Sequence, residues 1–230
     1  MASFAVGRFQ PPTIGHARMI QEVINSKRDA FIFVSSTTTP KSSNPLTAAQ
    51  KIAALKKMFP SGVTFVDTSK CDPKCGGPVQ ANKYLRDRGY TDITLLAGSD
   101  RAESFGPDAP MWESGKKHDI PPPKFKALTR TEGIGAAAMS GTKARKLARE
   151  GDFEGFANAV RVGKIDDADI RKLYNAVRKT KEGGRTRRIK KNKASSKALY
   201  RQGSRLRNVS SRTSRSSYGF RDYLKGLSTL

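Results

Sequence analysis

The sequence predicts an α/β protein: a parallel sheet with helices on both faces, followed by a helical segment and a largely disordered basic tail. Three observations carry this expectation. Over residues 1–150 short apolar runs alternate with stretches of helical periodicity, the pattern of parallel strands joined by crossover helices. A chain of 230 residues suits one core of ordinary size plus an appendage. The charge is lopsided, because residues 171–230 hold 19 of the 44 basic and 2 of the 20 acidic residues, a net of +17 within a total of +24.

Phe4–Val6 reads as the first strand, followed by glycine and proline punctuation and a helix from Gly15 to Ser26. Ala30–Val34, continuous in aromatic and β-branched residues, fits a strand buried on both faces. Pro45–Phe59 reads as a helix, with Leu46, Ala49, Ile52, Ala53, Leu55 and Met58 set among lysines. Val63–Val66 is a third strand, Val79–Arg88 a helix and Ile93–Leu96 a fourth strand. Phe125–Leu128 supplies a fifth, with a helix over Thr142–Glu150 behind it. Between the fourth and fifth strands, Gly106-Pro107, Pro110 and Pro121-Pro122-Pro123 interrupt the pattern. That polar stretch, which contains Trp112, is expected as a surface loop of the kind that forms lids.

Phe153, Phe156 and Val160 mark a short helix. Ile170, Leu173, Tyr174 and Val177 fall at i, i+3, i+4 and i+7 behind Asp166 or Asp167 as a cap, so this helix should pack on the domain. The expected boundaries are a domain at residues 1–163, an amphipathic helix at 164–181 and a tail at 182–230. From Arg185 to Arg215 there are 12 basic residues and no acidic ones. Such a stretch buries too little apolar surface to offset its ordering entropy and is expected to be disordered when free. Phe220, Tyr223, Leu224 and Leu227 regain helical spacing, which suggests a short docking helix within 218–227.

Composition argues against several classes. Two cysteines cannot build a disulfide framework, so an intracellular, reducing setting is expected. No apolar run approaches the roughly 20 residues that cross a bilayer, and the start at Met1–Arg8 turns polar too soon for a signal peptide. Cys71 and Cys75, with His118 as the one other soft ligand, fall short of the about four ligands of a zinc site. They are expected to be two unrelated thiols, and no protein-held metal site is expected.

Two segments carry chemistry. Directly after the first strand stands Gly7-Arg8-Phe9-Gln10-Pro11-Pro12-Thr13-Ile14-Gly15-His16. Gly7 removes the Cβ where backbone must approach a phosphate closely. Gly15 and His16 open a helix whose N–H groups and positive dipole end favour an anion. In an open parallel sheet this loop lies at the carboxyl ends of the strands, where ligands bind. The second segment is Met139-Ser140-Gly141-Thr142-Lys143-Ala144-Arg145. Ser140 or Thr142 caps the next helix and Arg145 sits in its first turn. That is either a plain basic helix start or a second anion site of hydroxyls, N–H groups and a guanidinium. The order Gly-Thr-Lys is not a Walker P-loop.

Thr13-Ile14-Gly15-His16 resembles the (His/Thr)-x-Gly-His motif of the nucleotidylyltransferase superfamily, and Ser140–Arg145 resembles its Ser-(Ser/Gly)-Thr-x-x-Arg motif. Gly-Arg-Phe-Gln-Pro at residues 7–11 and Asn44-Pro45-Leu46-Thr47-Ala48 followed by Lys51 are most similar to archaeal-type nicotinamide mononucleotide adenylyltransferases. Gly98-Ser99-Asp100-Arg101 stands where related enzymes carry a substrate-contacting Gly-x-Asp. The resemblance covers about residues 1–160 and implies a Rossmann-like fold and transfer of AMP from ATP to nicotinamide mononucleotide, giving NAD and pyrophosphate. It implies that His16, with Thr13 beside it, donates to the reacting phosphate oxygens. Gly7, Arg8, Phe9, Gly15 and Lys51 would line the ATP side. Arg8, Lys51 and Arg145 would neutralise the triphosphate, while Ser140, Gly141 and Thr142 would hold its β- and γ-phosphates. Asn44, Thr47, Gly98 and Asp100 would contact the acceptor, and Mg²⁺ would accompany ATP.

The sequence departs from that pattern at three points. Thr13 stands for the first His of the archaeal-type motif, and Lys51 for an Arg, which loses the bidentate fork. Residues 67–75 hold no aromatic side chain to stack on a nicotinamide ring; Trp112 and Phe105 are candidates from elsewhere. A cytidylyl donor or another phosphorylated acceptor is the near variant. A nucleic-acid-associated or viral-particle-associated protein that reuses the fold is the alternative of a different class. The tail suits nonspecific binding to nucleic acid or another polyanion, and fits a phage setting. The expected location is the cytoplasm, or the host cytoplasm or virion for a viral chain; a homo-oligomer is left open.

Overall fold

The computed structural model describes residues 1–36, 40–116, 120–129 and 139–180. The tail at 182–230, with the expected disorder at Arg185–Arg215 and the expected docking helix, lies outside the described residues. Among the described residues no helix is long and apolar enough to cross a membrane.

Five parallel strands form the sheet: β1 (Ala2–Gly7), β2 (Asp29–Val34), β3 (Thr64–Asp67), β4 (Ile93–Gly98) and β5 (Lys124–Leu128), in the order β3-β2-β1-β4-β5. The apolar runs lie on the expected strands, and their alternation divides the core into two layers. Phe4, Phe33 and Leu95 face one layer with Val66, Leu85 and Trp112. Ala5, Ile32, Val34 and Leu96 face the other with Ile20, Val23, Leu55, Phe156 and Tyr174. Side chains at successive strand positions point to opposite faces, so a doubly covered sheet needs an apolar residue at nearly every position.

The helices are α1 (Ile14–Asn25), α2 (Ala48–Met58), α3 (Pro78–Arg86), α4 (Ala102–Phe105), α5 (Glu113–Lys116), α6 (Gly141–Glu150), α7 (Phe153–Val160) and α8 (Asp167–Lys179). Helix α2 starts three residues later than Pro45, because Thr47 caps it: the Thr47 Oγ1 accepts from the Gln50 N–H at 3.3 Å, and the Gln50 Oε1 accepts from the Thr47 N–H at 2.8 Å. Asp166 caps α8 through the Asp169 N–H at 2.8 Å. Tyr174 of α8 packs edge-on to Phe153 and Phe156 of α7, at centroid distances of 5.2 and 5.4 Å.

Two expectations do not hold as stated. The stretch between Gly106 and Pro123 is only partly a surface loop: Pro107, Asp108 and Pro110 are exposed, but Pro110–Trp112 forms a 3₁₀ turn and Glu113–Lys116 forms α5. Trp112 is fully buried, and its indole N–H donates to the Gly106 carbonyl at 2.8 Å. A ring of that area gains more from burial than the prolines lose by breaking regular structure. Nor are Cys71 and Cys75 separate thiols. The turn after β3 brings their Cα atoms to 5.7 Å, within disulfide reach, and the two sulfurs are bonded.

Candidate active site

The sheet reverses its winding between β1 and β4, and there the strands part. β1 stays paired with β2 up to Gly7–Val34, and β4 with β5 up to Gly98–Leu128. Between β1 and β4, pairing stops at Phe4–Leu95. A crevice therefore opens at the carboxyl ends, flanked by the loop after β1 and the Gly98–Arg101 turn after β4.

The loop after β1 is shaped by its buried side chains. Phe9 has φ +49°, and its ring is fully buried against His16, with centroids 5.1 Å apart. A Cβ on Gly7 would fall 2.7 Å from that ring. Gly7 thus makes room for the Phe9 ring, and Phe9 packs against His16. Gln10 is 4% exposed; its Nε2 donates to the Leu46 carbonyl at 2.8 Å and its Oε1 accepts from the Leu46 N–H at 2.9 Å.

Thr13 is the buried N-cap of α1 and sets the histidine's proton. Its backbone N–H donates to the His16 Nδ1 at 3.1 Å. An N–H donates only to a bare nitrogen, so in the neutral ring the proton sits on Nε2. The Thr13 hydroxyl lies 2.8 Å from the same Nδ1 and donates to the Met139 carbonyl at 2.9 Å, which ties α1 to the entrance of α6.

Helix α6 brings the second segment to the same place. The Ser140 Oγ accepts from the Lys143 N–H at 3.2 Å as N-cap. Arg145 is half-buried; it donates to the Gln10 carbonyl at 2.5 Å and to the Thr142 Oγ1 at 3.0 Å. Burial, then the charges of Arg149 and Arg8, push its guanidinium below the ordinary value. Three arginines therefore share one small region, an arrangement that an anion relieves. Arg149 also donates to the Ser42 carbonyl, which pins the segment before α2 to α6.

Lys51 of α2 is fully buried, with its Nζ donating to the Ser35 carbonyl just beyond β2. Ser35 in turn donates its N–H to the Gly7 carbonyl at 3.0 Å. Burial pushes the ammonium down to about 8, partly opposed by Asp67.

The structure thus sets Arg145 and Gly141 against the Gln10 main chain, with Thr142 accepting from Arg145, and ties Thr13 and the His16 it holds to Met139 at the entrance of the same helix. Arg8 is exposed beside them, and Gly15 lies at the mouth of α1, where a Cβ would meet the Met139 carbonyl at 3.1 Å. Thr47 serves as a helix cap, and Asn44 pairs with Lys41 in a short bridge. Asp100 is exposed after β4, with Arg101 at 3.8 Å. Gln10, Ser35 and Met139 had no signal of their own: all three act through main-chain carbonyls, which any residue carries. Gln10 stood inside a quoted motif without a role. An open groove of about 840 Å³ also runs along the outer edge of β3, lined by Ile52, Lys56, Phe65, Lys70, Tyr84 and Arg88 among others. It lies two strands from β1.

A family model described as cytidylyltransferase-like matches residues 4–145. The fold is similar to a putative nicotinate-nucleotide adenylyltransferase from Vibrio parahaemolyticus, with a TM-score of 0.50 and 18% identity over 75% of this chain and 99% of that one. It is also similar to the nicotinic acid mononucleotide adenylyltransferase of Plasmodium falciparum complexed with APC, with a TM-score of 0.50 and 13% identity over 76% of this chain and 96% of that one. No curated protein matched the chain.

Proposed function

The chain belongs to the cytidylyltransferase-like family, and from that premise we propose that it transfers AMP from ATP to nicotinamide mononucleotide, giving NAD and pyrophosphate. The observation that carries this reading is the joining of the two motif segments at the crevice: Thr13, whose N–H holds His16 by Nδ1, donates to the Met139 carbonyl at the entrance of α6, and Arg145 of α6 donates to the Gln10 carbonyl. An acceptor phosphate oxygen attacks the α-phosphorus of ATP. The bond to the bridging oxygen breaks, and pyrophosphate leaves with its electron pair. The acceptor is already a nucleophile, so positioning and charge stabilisation supply the catalysis.

His16 donates from Nε2 to the reacting phosphate oxygens. Arg145 and Arg8 take up the charge that builds on the leaving pyrophosphate, and the capped start of α6 receives the β- and γ-phosphates. Mg²⁺ would accompany ATP and add positive charge at the triphosphate, and with cations and hydroxyls rather than carboxylates lining the site it would be held by the phosphates. The acceptor assignment is supported by the residues at 7–11 and 44–51; both structural neighbours named above carry the nicotinate rather than the nicotinamide nucleotide in their names, which makes nicotinate mononucleotide the first comparator. The basic tail, by its composition, takes a polyanion.

Purified protein incubated with ATP, Mg²⁺ and nicotinamide mononucleotide should yield NAD and pyrophosphate, with nicotinate mononucleotide, pantetheine phosphate and CTP as comparators. Turnover of a different acceptor or donor would overturn the substrate assignment. No turnover with any of them would overturn the enzymatic reading.

A further inference from the structure

We propose that Gln10 is a positioning residue that sets the acceptor side of the site against its triphosphate side. This deepens the nucleotidylyltransferase reading above and rests on it. The Gln10 side chain satisfies both main-chain groups of one residue, the N–H and carbonyl of Leu46, at 2.9 and 2.8 Å. Only a group with one donor and one acceptor on the same end does this. Leu46 is itself fully buried, and it stands between Asn44 and Thr47, the cap of the helix that carries Lys51. The Gln10 main chain faces the other way. Its carbonyl accepts from Arg145, and Gly141 approaches so closely that a Cβ there would lie 2.8 Å from that oxygen.

The two halves of the residue thus serve different ligand halves. Changing the side chain frees the 44–47 segment but leaves the carbonyl under Arg145 in place. A plain loss of folded protein would lower kcat and leave both KM values alone, whereas loss of the clamp raises KM for the acceptor selectively. Breaking the pair leaves two buried main-chain groups at Leu46 unsatisfied, so Gln10→Met should raise the acceptor KM about 10-fold and leave the ATP KM within about 2-fold.

Gln10→Glu supplies a second variant. Its ionised carboxylate lacks the donor, whereas a protonated carboxyl again offers one donor and one acceptor. With Arg145, and behind it Arg8 and Arg149, as the cations on the main-chain side, its acceptor KM should fall toward the wild-type value as the pH is lowered, while Gln10→Met shows no such recovery. Native-state exchange of the Leu46 amide gives a readout independent of turnover: in Gln10→Met it should accelerate about 10-fold while α6 amides stay protected. If the wild type turns over no acceptor, the enzymatic reading falls and the exchange measurement still decides the clamp. Wild-type exchange at Leu46 in both variants, or equal rises of the two KM values, would overturn the proposal.

Discussion

His16 would be a weakly directed ring without Thr13, whose main-chain N–H occupies Nδ1 and leaves Nε2 as the donor. Removing one preorganised donor costs on the order of 10²–10³ in kcat. His16→Ala should therefore lose that much turnover while circular dichroism stays native; unchanged turnover would reduce the motif to a helix start. Lys51 provides a test through pH. Its ordinary value is 10.5, and in the fold it is about 8. Below pH 8 both states hold the proton and the full burial cost is present. Between pH 8 and 10.5 the unfolded chain holds more protons than the folded one, so rising pH stabilises the fold. Denaturant unfolding should show wild-type stability rising over that window relative to Lys51→Met. In kcat/KM, which reports the free enzyme, activity should fall above pH 8, and Lys51→Arg should remove that limb. At this scale Thr13, His16 and Arg145 were legible as motif side chains, and the structure ties Thr13 and His16 to the entrance of α6, the helix that carries Arg145. The sequence did not show the packing of Phe9 against Gly7, because the room one residue leaves for the next has no local mark.

Elements were legible where a run of apolar residues had a clear period. β2, α6 and α8 lie where a continuous apolar run, a cap at Ser140 or Thr142 and a cap at Asp166 or Asp167 put them, and the structure uses Ser140 and Asp166. The segment around Trp112 was misjudged because its prolines mark turns without saying which side of a turn is buried. Helix α6 also shows local preference yielding to tertiary demand. Alanine at a helical position is favoured over glycine by about 1 kcal/mol, which alone would make Gly141→Ala stabilising. The added Cβ would sit 2.8 Å from the Gln10 carbonyl, a main-chain atom that cannot rotate away. Overpacking of that kind costs about 1–3 kcal/mol. Gly141→Ala should therefore lower the stability measured by denaturant titration and raise the KM for ATP; a gain in stability would mean that the loop yields freely.

For the whole molecule, the sheet with helices on both faces was legible from strand–helix alternation, whereas the parting of β1 from β4 was not, because register between distant strands leaves no local mark. The charge asymmetry makes its own prediction. Truncation at Glu182 removes most of the +17 net charge of residues 171–230. Full-length protein should bind duplex DNA nonspecifically, with affinity falling steeply with salt at a slope near −0.9 per phosphate neutralised. The truncated protein should lose that binding and keep adenylyltransfer. Equal affinity of the two forms at low salt would reject a polyanion role for the tail.

The bonds that complete the site span nearly the whole folded chain: Thr13 reaches Met139 across 126 positions, and Gln10 reaches Arg145 across 135. Loop closure over such separations comes late in folding and sets its pace. All five strands precede α6 in order of synthesis, so the nascent chain carries the histidine loop before it carries the segment with Arg145. A chain cut short before Met139 should therefore show no adenylyltransfer however well its sheet has formed.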